Sequence, residues 1–310
     1  MPAGQPYDVP ILFIIFNRPD TARVVLARLR ELKPTRLFIA ADGPRPGNAS
    51  DAARCAQVRE ETLKAIDWDC EVKTLLRESN LGCRKGVATA IDWFFENVEQ
   101  GIILEDDCLP DPSFFPFCRE MLERYRDDER VMHVSGDNFQ DGRKVGGASY
   151  YFSRYNHVWG WATWRRAWQH YDLVMKTYPE FRQRSMFAGV WSDADQRRYW
   201  RRIFDRAHAG AVNTWDYQWE YAILAQNGLC ILPNVNLISN IGFGADATHT
   251  TGASDVADLG TKAISFPLTH PAIMAPDAEA DRRTHYKIFY VSPARKVLNR
   301  LAALLKLIRR

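Results

Sequence analysis

No Cys-x-x-Cys pair occurs in this chain. Its six cysteines, Cys55, Cys70, Cys83, Cys108, Cys118 and Cys230, are scattered over 310 residues. That scatter excludes a small disulfide-stapled scaffold and a ribbon- or finger-type zinc site, and the thiols read as the reduced cysteines of a cytosolic protein. Long apolar runs are also missing. Residues 9–16 (VPILFIIF) are too few for a secretory signal core or a membrane span, and they stop at Asn17-Arg18-Pro19. No internal repeat or low-complexity segment is visible. Nor is there a large charge surplus: 41 basic against 38 acidic residues leave +3, which excludes binding to nucleic acid through the overall field of the chain. The bias that exists is local. Residues 293–310 carry Arg295, Lys296, Arg300, Lys306, Arg309 and Arg310 with no acid, so the rest of the chain is mildly acidic.

What the chain does have is enough apolar material, 46%, for one large core. Residues 9–16 read as a buried parallel strand. Residues 20–32 have helical spacing. Residues 35–41 (TRLFIAA) are a second strand, ending at Asp42-Gly43-Pro44. A Pro/Gly/Asn/Ser loop and a helix through Ile66 follow. Residues 70–76 are a third strand, 85–97 a helix, and 101–104 a fourth strand. Residues 114–125 then read as a helix and 131–135 as a strand ending at Asp137-Asn138. This β-α-β-α-β-α-β order predicts an α/β fold with a mostly parallel, doubly wound sheet and helices on both faces.

The most informative stretch is Gly101-Ile102-Ile103-Leu104-Glu105-Asp106-Asp107-Cys108. A buried strand that meets three consecutive carboxylates must surface, because unpaired charge is costly to desolvate. The acids are therefore expected at the exposed end of the strand, the rim where open α/β sheets bind ligands. Asn17-Arg18, Asp42 and Asn80 are expected on the same rim. Clustered carboxylates there suit a hard divalent cation, Mn2+ or Mg2+, that also holds substrate phosphates. An ordinary acidic turn is the competing explanation.

The second half is rich in tryptophan, including Trp159, Trp161, Trp164, Trp168, Trp215 and Trp219. Most are expected to pack as core. Trp159 and Trp161, flanking Gly160, are the better candidates for stacking on a sugar ring. Residues 182–206 are rich in arginine and tryptophan and read as a solvated helical face, with an anionic or lipid-linked acceptor site as the alternative.

These features, in this order, resemble a nucleotide-sugar glycosyltransferase of the GT-A fold. The likeness is greatest to the N-acetylglucosaminyltransferase I family and its bacterial surface-polysaccharide relatives. It runs from about Val9 to about Thr251. It is carried by Asn17-Arg18, Asp42, the Gly82-Cys83-Arg84-Lys85-Gly86 helix start, Glu105-Asp106-Asp107 with Pro110-Asp111-Pro112, the Trp159-Gly160-Trp161 turn, Trp215-Asp216 through Trp219-Glu220, and Asn240 to His249.

The resemblance implies a nucleoside-diphosphate sugar as donor, a UDP-sugar by default, and a glycan or lipid-linked acceptor. Asp42 would meet the base, and Arg18 the base or diphosphate. Glu105 and Asp106 would hold ribose and donor sugar, and Asp107 the metal, with His249 completing its shell. Residues 242–251 would be a lid. Asn17, Arg84 and Lys85 would join the nucleotide site, with the last two meeting phosphate at a helix start. Asp137, Asn138, Trp159, Gly160, Trp161 and Trp215 would line the donor-sugar and acceptor side. An inverting displacement needs a base opposite the leaving group, and Asp216 is preferred, with Glu220 as fallback.

The implied organisation is a domain over 1–292, with a nucleotide-sugar half at 1–110 and an acceptor half at 111–292. Residues 293–310 form a basic amphipathic helix suited to an anionic membrane surface or to docking on protein. Without a visible anchor or stem, the expected location is the cytoplasm of a bacterium, with peripheral contact at the inner face of its membrane. A pyrophosphorylase would need a Gly-rich loop where Asn17-Arg18-Pro19-Asp20 stands, and a haloacid-dehalogenase-type phosphatase two aspartates one residue apart. A non-catalytic carbohydrate- or nucleotide-binding protein and a metal-dependent nucleotide-sugar hydrolase remain alternatives.

Overall fold

A computed structural model describes residues 6–184, 186–242 and 259–290. His249, the rest of the expected lid beyond Gly242, and residues 293–310 lie outside the described residues. The chain runs β1 (Ile11–Ile15), α1 (Pro19–Leu32), β2 (Arg36–Ala41), α2 (Ala49–Lys64), β3 (Glu71–Leu76), α3 (Gly82–Asn97), β4 (Gln100–Glu105), β5 (Cys108–Pro110), α4 (Phe114–Arg124) and β6 (Val131–Ser135). It continues through β7 (Tyr150–Ser153), β8 (Trp161–Trp164), α5 (Arg165–Trp168), α6 (Tyr178–Gln183), α7 (Phe187–Val190), α8 (Ala194–His208), α9 (Asp216–Ala225), β9 (Leu229–Pro233), β10 (Ile238–Asn240) and α10 (Ala278–Thr284), which passes into a π-helical turn at His285–Phe289.

Eight strands form one sheet in the order β3-β2-β1-β4-β8-β6-β9-β7, and β10 pairs with β5 in a small second sheet. Strands β1 to β4 are mutually parallel, as the apolar runs predict. Strand β8 runs antiparallel between β4 and β6, and β7 runs antiparallel to β9. The sheet is therefore mixed but mostly parallel.

Alternation along the strands builds a core on each face. Ile11, Phe13, Ile15, Ile102 and Leu104 pack with Val25 and Leu29 of α1 and Phe117 and Met121 of α4. Leu12 and Ile103 point the other way, toward Ile91 and Phe94 of α3 and Trp219 and Ile223 of α9. Helices α6 to α8 gather a third, largely aromatic cluster around Trp191, Trp200 and Phe204. Among the described residues, no helix is long and apolar enough to cross a membrane.

Most boundaries shift by one or two residues from the sequence reading, and two shifts have a tertiary reason. Helix α3 starts at Gly82 rather than Lys85 because the Asp42 carboxylate, at the end of β2, accepts the N–H groups of Leu81 and Gly82 at 3.0 and 3.1 Å. This satisfies donors that a helix start otherwise leaves open. Strand β4 extends to Glu105 because its pairing with β1 continues to Ile14 opposite Glu105.

Candidate functional site

The chain goes out from β1 through β2 to the edge strand β3, then returns to place β4 on the other side of β1. The C-terminal ends of β1 and β4 therefore flank the point where strand order reverses. Open α/β sheets leave a ligand crevice there. The residues following these two strands are Phe16-Asn17-Arg18 and Asp106-Asp107.

Their side chains meet. Arg18 Nη2 lies 2.5 Å from Asp106 Oδ1, and Nη1 lies 2.8 Å from Asp107 Oδ2. The Phe16 N–H donates to Asp106 Oδ2 at 3.2 Å. Asp106-Asp107 is the turn through which the chain leaves the large sheet for β5. In the small sheet β10 pairs with β5, so Asn240 lies opposite Cys108, and the Ile241 N–H donates to the Asp107 carbonyl at 2.9 Å. This carries Gly242 onto the acids. A Cβ built on Gly242 would overlap Asp107 Oδ2 and stand 2.8 Å from Arg18 Nη1.

The acids are not at a freely exposed strand end, as the sequence suggested. Asp106 is buried, and Glu105 and Asp107 are partly buried. Arg18 makes this tolerable by giving one charge-assisted hydrogen bond to each aspartate. The compensation is incomplete. Burial, and then the Asp107 and Asp106 charges, push the Glu105 carboxyl up to about 8, against the pull of Arg18. Burial raises Asp106 to about 6. Arg18 is raised despite its own desolvation, chiefly by Asp106 and Asp107. Three carboxyls share one guanidinium, so the rim has an excess of negative charge.

Asp216, the first residue of α9, adds to that excess: its charge raises both Glu105 and Cys83. It lies near enough to both for its charge to be felt, at the start of a helix from the second half of the chain. Its Oδ1 accepts the Thr214 hydroxyl and the Tyr217 N–H, which orient the carboxylate. Glu220 does not share this position. It is 1% exposed, Asn156 N–H donates to its Oε2 at 3.0 Å, and burial pushes its carboxyl well up. A partner inside the fold, not a shared helix face with Asp216, determines where Glu220 points.

Other expected site residues have structural duties. Asn17 donates to Asp51 Oδ1 at 2.8 Å, and Arg45 Nε bonds Asp51 Oδ2 at 2.5 Å, together fastening the loop after β2. Asp42 caps α3, as described above. Arg84 donates to the Leu173 carbonyl at 2.8 Å, bracing α3 rather than meeting phosphate. Lys85 is exposed. Asn138 is buried and donates to the Pro233 carbonyl at 2.6 Å.

The Trp159-Gly160-Trp161 turn divides. Trp161 is fully buried, stacked on His133 at 4.9 Å and on Trp215 at 5.6 Å, so both tryptophans are core rather than sugar platforms. Gly160 has φ +70°, and a Cβ there would stand 2.5 Å from Ile238 Cδ1, so glycine serves chain packing. Only Trp159 stays partly exposed. Its N–H donates to Asp137 Oδ2 at 3.1 Å. Asp137 Oδ1 is buried without a hydrogen-bond partner among the described residues, and burial raises this carboxyl well above its usual range. Asp137 also acts electrostatically on Cys108, next to Asp107. It is a buried neighbour of the acid-lined turn rather than an exposed part of it.

Among the described residues, no three metal-ligating side chains converge. The donor set still suits a hard cation of the Mg2+ type. Such an ion takes one or two carboxylates and fills its shell from phosphate and water, and Asp107, partly exposed and beside two further carboxyls, offers that. It does not suit a zinc-type site of clustered nitrogen and sulfur ligands.

No family model matches the chain, and no curated protein matches it. Several solved structures are similar over part of it. The mannosyltransferase PcManGT from Pyrobaculum calidifontis, in complex with GDP-Man and Mn2+, is 14% identical with a TM-score of 0.35. The match covers 51% of this chain and 45% of that one, so this chain spans less than half of the mannosyltransferase. Mouse xyloside xylosyltransferase 1 is 12% identical with a TM-score of 0.34, over 70% of this chain and 81% of that one. A UDP-glucose pyrophosphorylase complexed with UDP-glucose is 9% identical with a TM-score of 0.36, over 73% and 90%.

Proposed function

We propose that this chain is a glycosyltransferase that takes a sugar from a nucleoside-diphosphate donor bound in the crevice between β1 and β4. The observation that carries this reading is Arg18 spanning Asp106 and Asp107 at the switch point. Metal dependence, inversion, a UDP-sugar donor and a role in surface-polysaccharide synthesis belong to the same proposal.

Asp107 would hold a divalent cation, with His249 as a further ligand. When bound, that cation neutralises the diphosphate leaving group and acts as Lewis acid. Arg18 keeps the two aspartates in register and supplies a donor fork for phosphate oxygens. Glu105 and Asp106 would hold the donor's ribose and sugar through hydrogen bonds. Glu105 suits this role because a carboxyl held near neutrality can donate as well as accept. Asp137, with one oxygen unpartnered, serves the sugar hydroxyls from the other side. Asp216 removes the proton from the acceptor hydroxyl as that oxygen attacks the anomeric carbon and the bond to diphosphate breaks. Its orientation by Thr214 and by its own helix start fixes the accepting oxygen.

The test is calorimetric titration of UDP and of GDP into the full chain, with and without Mn2+, for wild type and Asp107→Ala. Binding of one nucleotide that requires Mn2+ and disappears in the variant supports the reading and identifies the base. Absence of binding by either nucleotide under every condition would sink it.

A further inference from the structure

Helix α8 is amphipathic in a specific sense. Trp200, Ile203, Phe204 and Ala207 are buried in the third aromatic cluster, while Arg198, Arg201 and Arg202 are exposed. That exposed side is not a plain solvated face. It forms one wall of a groove of about 290 Å³ whose other wall is the π-helical turn His285–Phe289. Four arginines and two aspartates line it. Arg182 is paired with Asp205 at 2.6 Å and Arg198 with Asp195 at 2.8 Å. Arg201 and Arg202 have no carboxylate in ion-pair range among the described residues, so the groove has two surplus positive charges. Arg202 lies over the Tyr199 ring at 5.7 Å.

A second, independent observation points to a ligand. His285 lines the groove, is 0% exposed, and neither of its ring nitrogens has a hydrogen-bond partner among the described residues. Unsatisfied polar atoms this deep are unusual in a folded protein. The turn that carries it is π-helical, a costly geometry that collects at functional positions. Beside it, Phe289 and Tyr199 face each other at 5.4 Å, giving an apolar flank next to the charges. Tyr199 also acts on Tyr217, the residue after Asp216.

We propose that this groove binds the phosphate group of an amphipathic acceptor, with Arg198, Arg201 and Arg202 holding the oxyanion and Tyr199 and Phe289 flanking the apolar chain. The ligand class follows from the charge surplus beside aromatic rings. Its assignment as acceptor rests on the transferase reading. Guanidinium groups recognise phosphate through paired donors. A neutral glycan acceptor would have no use for the unpaired arginines.

Geranyl phosphate and inorganic phosphate, titrated separately into the full chain, test this. The variants are Arg201→Ala/Arg202→Ala, at two exposed positions, and Asp107→Ala. Saturable binding of geranyl phosphate is expected, at least tenfold tighter than inorganic phosphate. It should be at least tenfold weaker in the double variant and unchanged in Asp107→Ala. Equal affinity in the double variant, or no saturable binding, overturns the site. Equal affinity for the two probes overturns the amphipathic ligand. Nucleotide titration of the same proteins reads the donor site separately, so its failure and failure of the groove are distinguishable.

Discussion

Arg18 holds Asp107 at 2.8 Å across the point where the strand order reverses, joining the end of β1 to the end of β4. The same guanidinium holds the buried Asp106. A single side chain therefore ties the end of β1 to both aspartates that follow β4.

Arg18→Ala should destabilise the fold by about 2–3 kcal/mol, because it leaves the Asp106 carboxyl buried without its partner. Arg18→Lys should recover part of that loss but not the two-pronged geometry. Urea unfolding of the three proteins measures this. A loss below about 0.5 kcal/mol in Arg18→Ala would show that the pair is solvated and contributes little.

Gly242→Ala should be tolerated poorly at the crevice. Its methyl group would overlap Asp107 and press on Arg18. Relieving that overlap moves the carboxylate, at a cost of about 1–3 kcal/mol. Nucleotide affinity should fall by at least tenfold, together with a loss of stability of that size. Calorimetry paired with thermal melts separates the two effects. Full affinity in the variant would mean that Gly242 does not set the position of Asp107.

Asp216→Asn should lower kcat by about 10²- to 10⁴-fold, the range for loss of a general base, with donor affinity unchanged. Glu220→Gln should behave differently. Burial raises the Glu220 carboxyl well above its unfolded value, so ionising it opposes folding. The cost is absent below the unfolded value of 4.5 and grows as pH rises above it. The neutral amide removes that cost, so Glu220→Gln should keep kcat within a few-fold and gain stability relative to wild type between pH 5 and 8. Turnover and urea melts of both variants decide the roles. A collapse of kcat in Glu220→Gln alone would reverse them.

Asp51 gives a pH dependence of opposite sign. Hydrogen bonds from Arg45 first, with Asn17 adding to them, hold its carboxyl at about 2, below its ordinary 3.8. The unfolded chain binds this proton more tightly, so the contribution is complete above about pH 4 and is lost as pH falls toward 2. Urea melts at pH 5, 4, 3 and 2.5 should show Asp51→Asn losing its deficit against wild type across that window. A deficit constant with pH would assign the effect to packing.

The strands, the order of elements and the rim were legible in the sequence because they follow from local pattern. Apolar runs at β1, β2 and β4 mark buried parallel strands, and the break at Glu105-Asp106-Asp107 marks where β4 must end near polar groups. Arg18 and Asp107 were read correctly as neighbours on one rim. The partner of each polar group was not legible, because that depends on residues distant in the chain. Asp42 is separated from the amides it caps by some forty positions. Trp161, expected at the ligand, became core because β8 is the interior strand between β4 and β6, and Trp215 is buried by stacking on it. Asp137 was marked by its place at a strand end, but its unpartnered oxygen was not legible, and the buried His285 carries no sequence signal, since each is defined by what its surroundings fail to supply.

The sequence by itself determined the α/β class, the parallel half of the sheet and the identity of the acidic rim, because periodicity and the cost of burying charge act over a few residues. Only the tertiary structure decided that Arg18 is shared by Asp106 and Asp107, that Gly242 packs on Asp107, that Glu220 turns inward, and that the arginines of α8 line a groove. Those relations depend on long-range packing, in which burial and the match of donors to acceptors across the fold fix where each charged group can go.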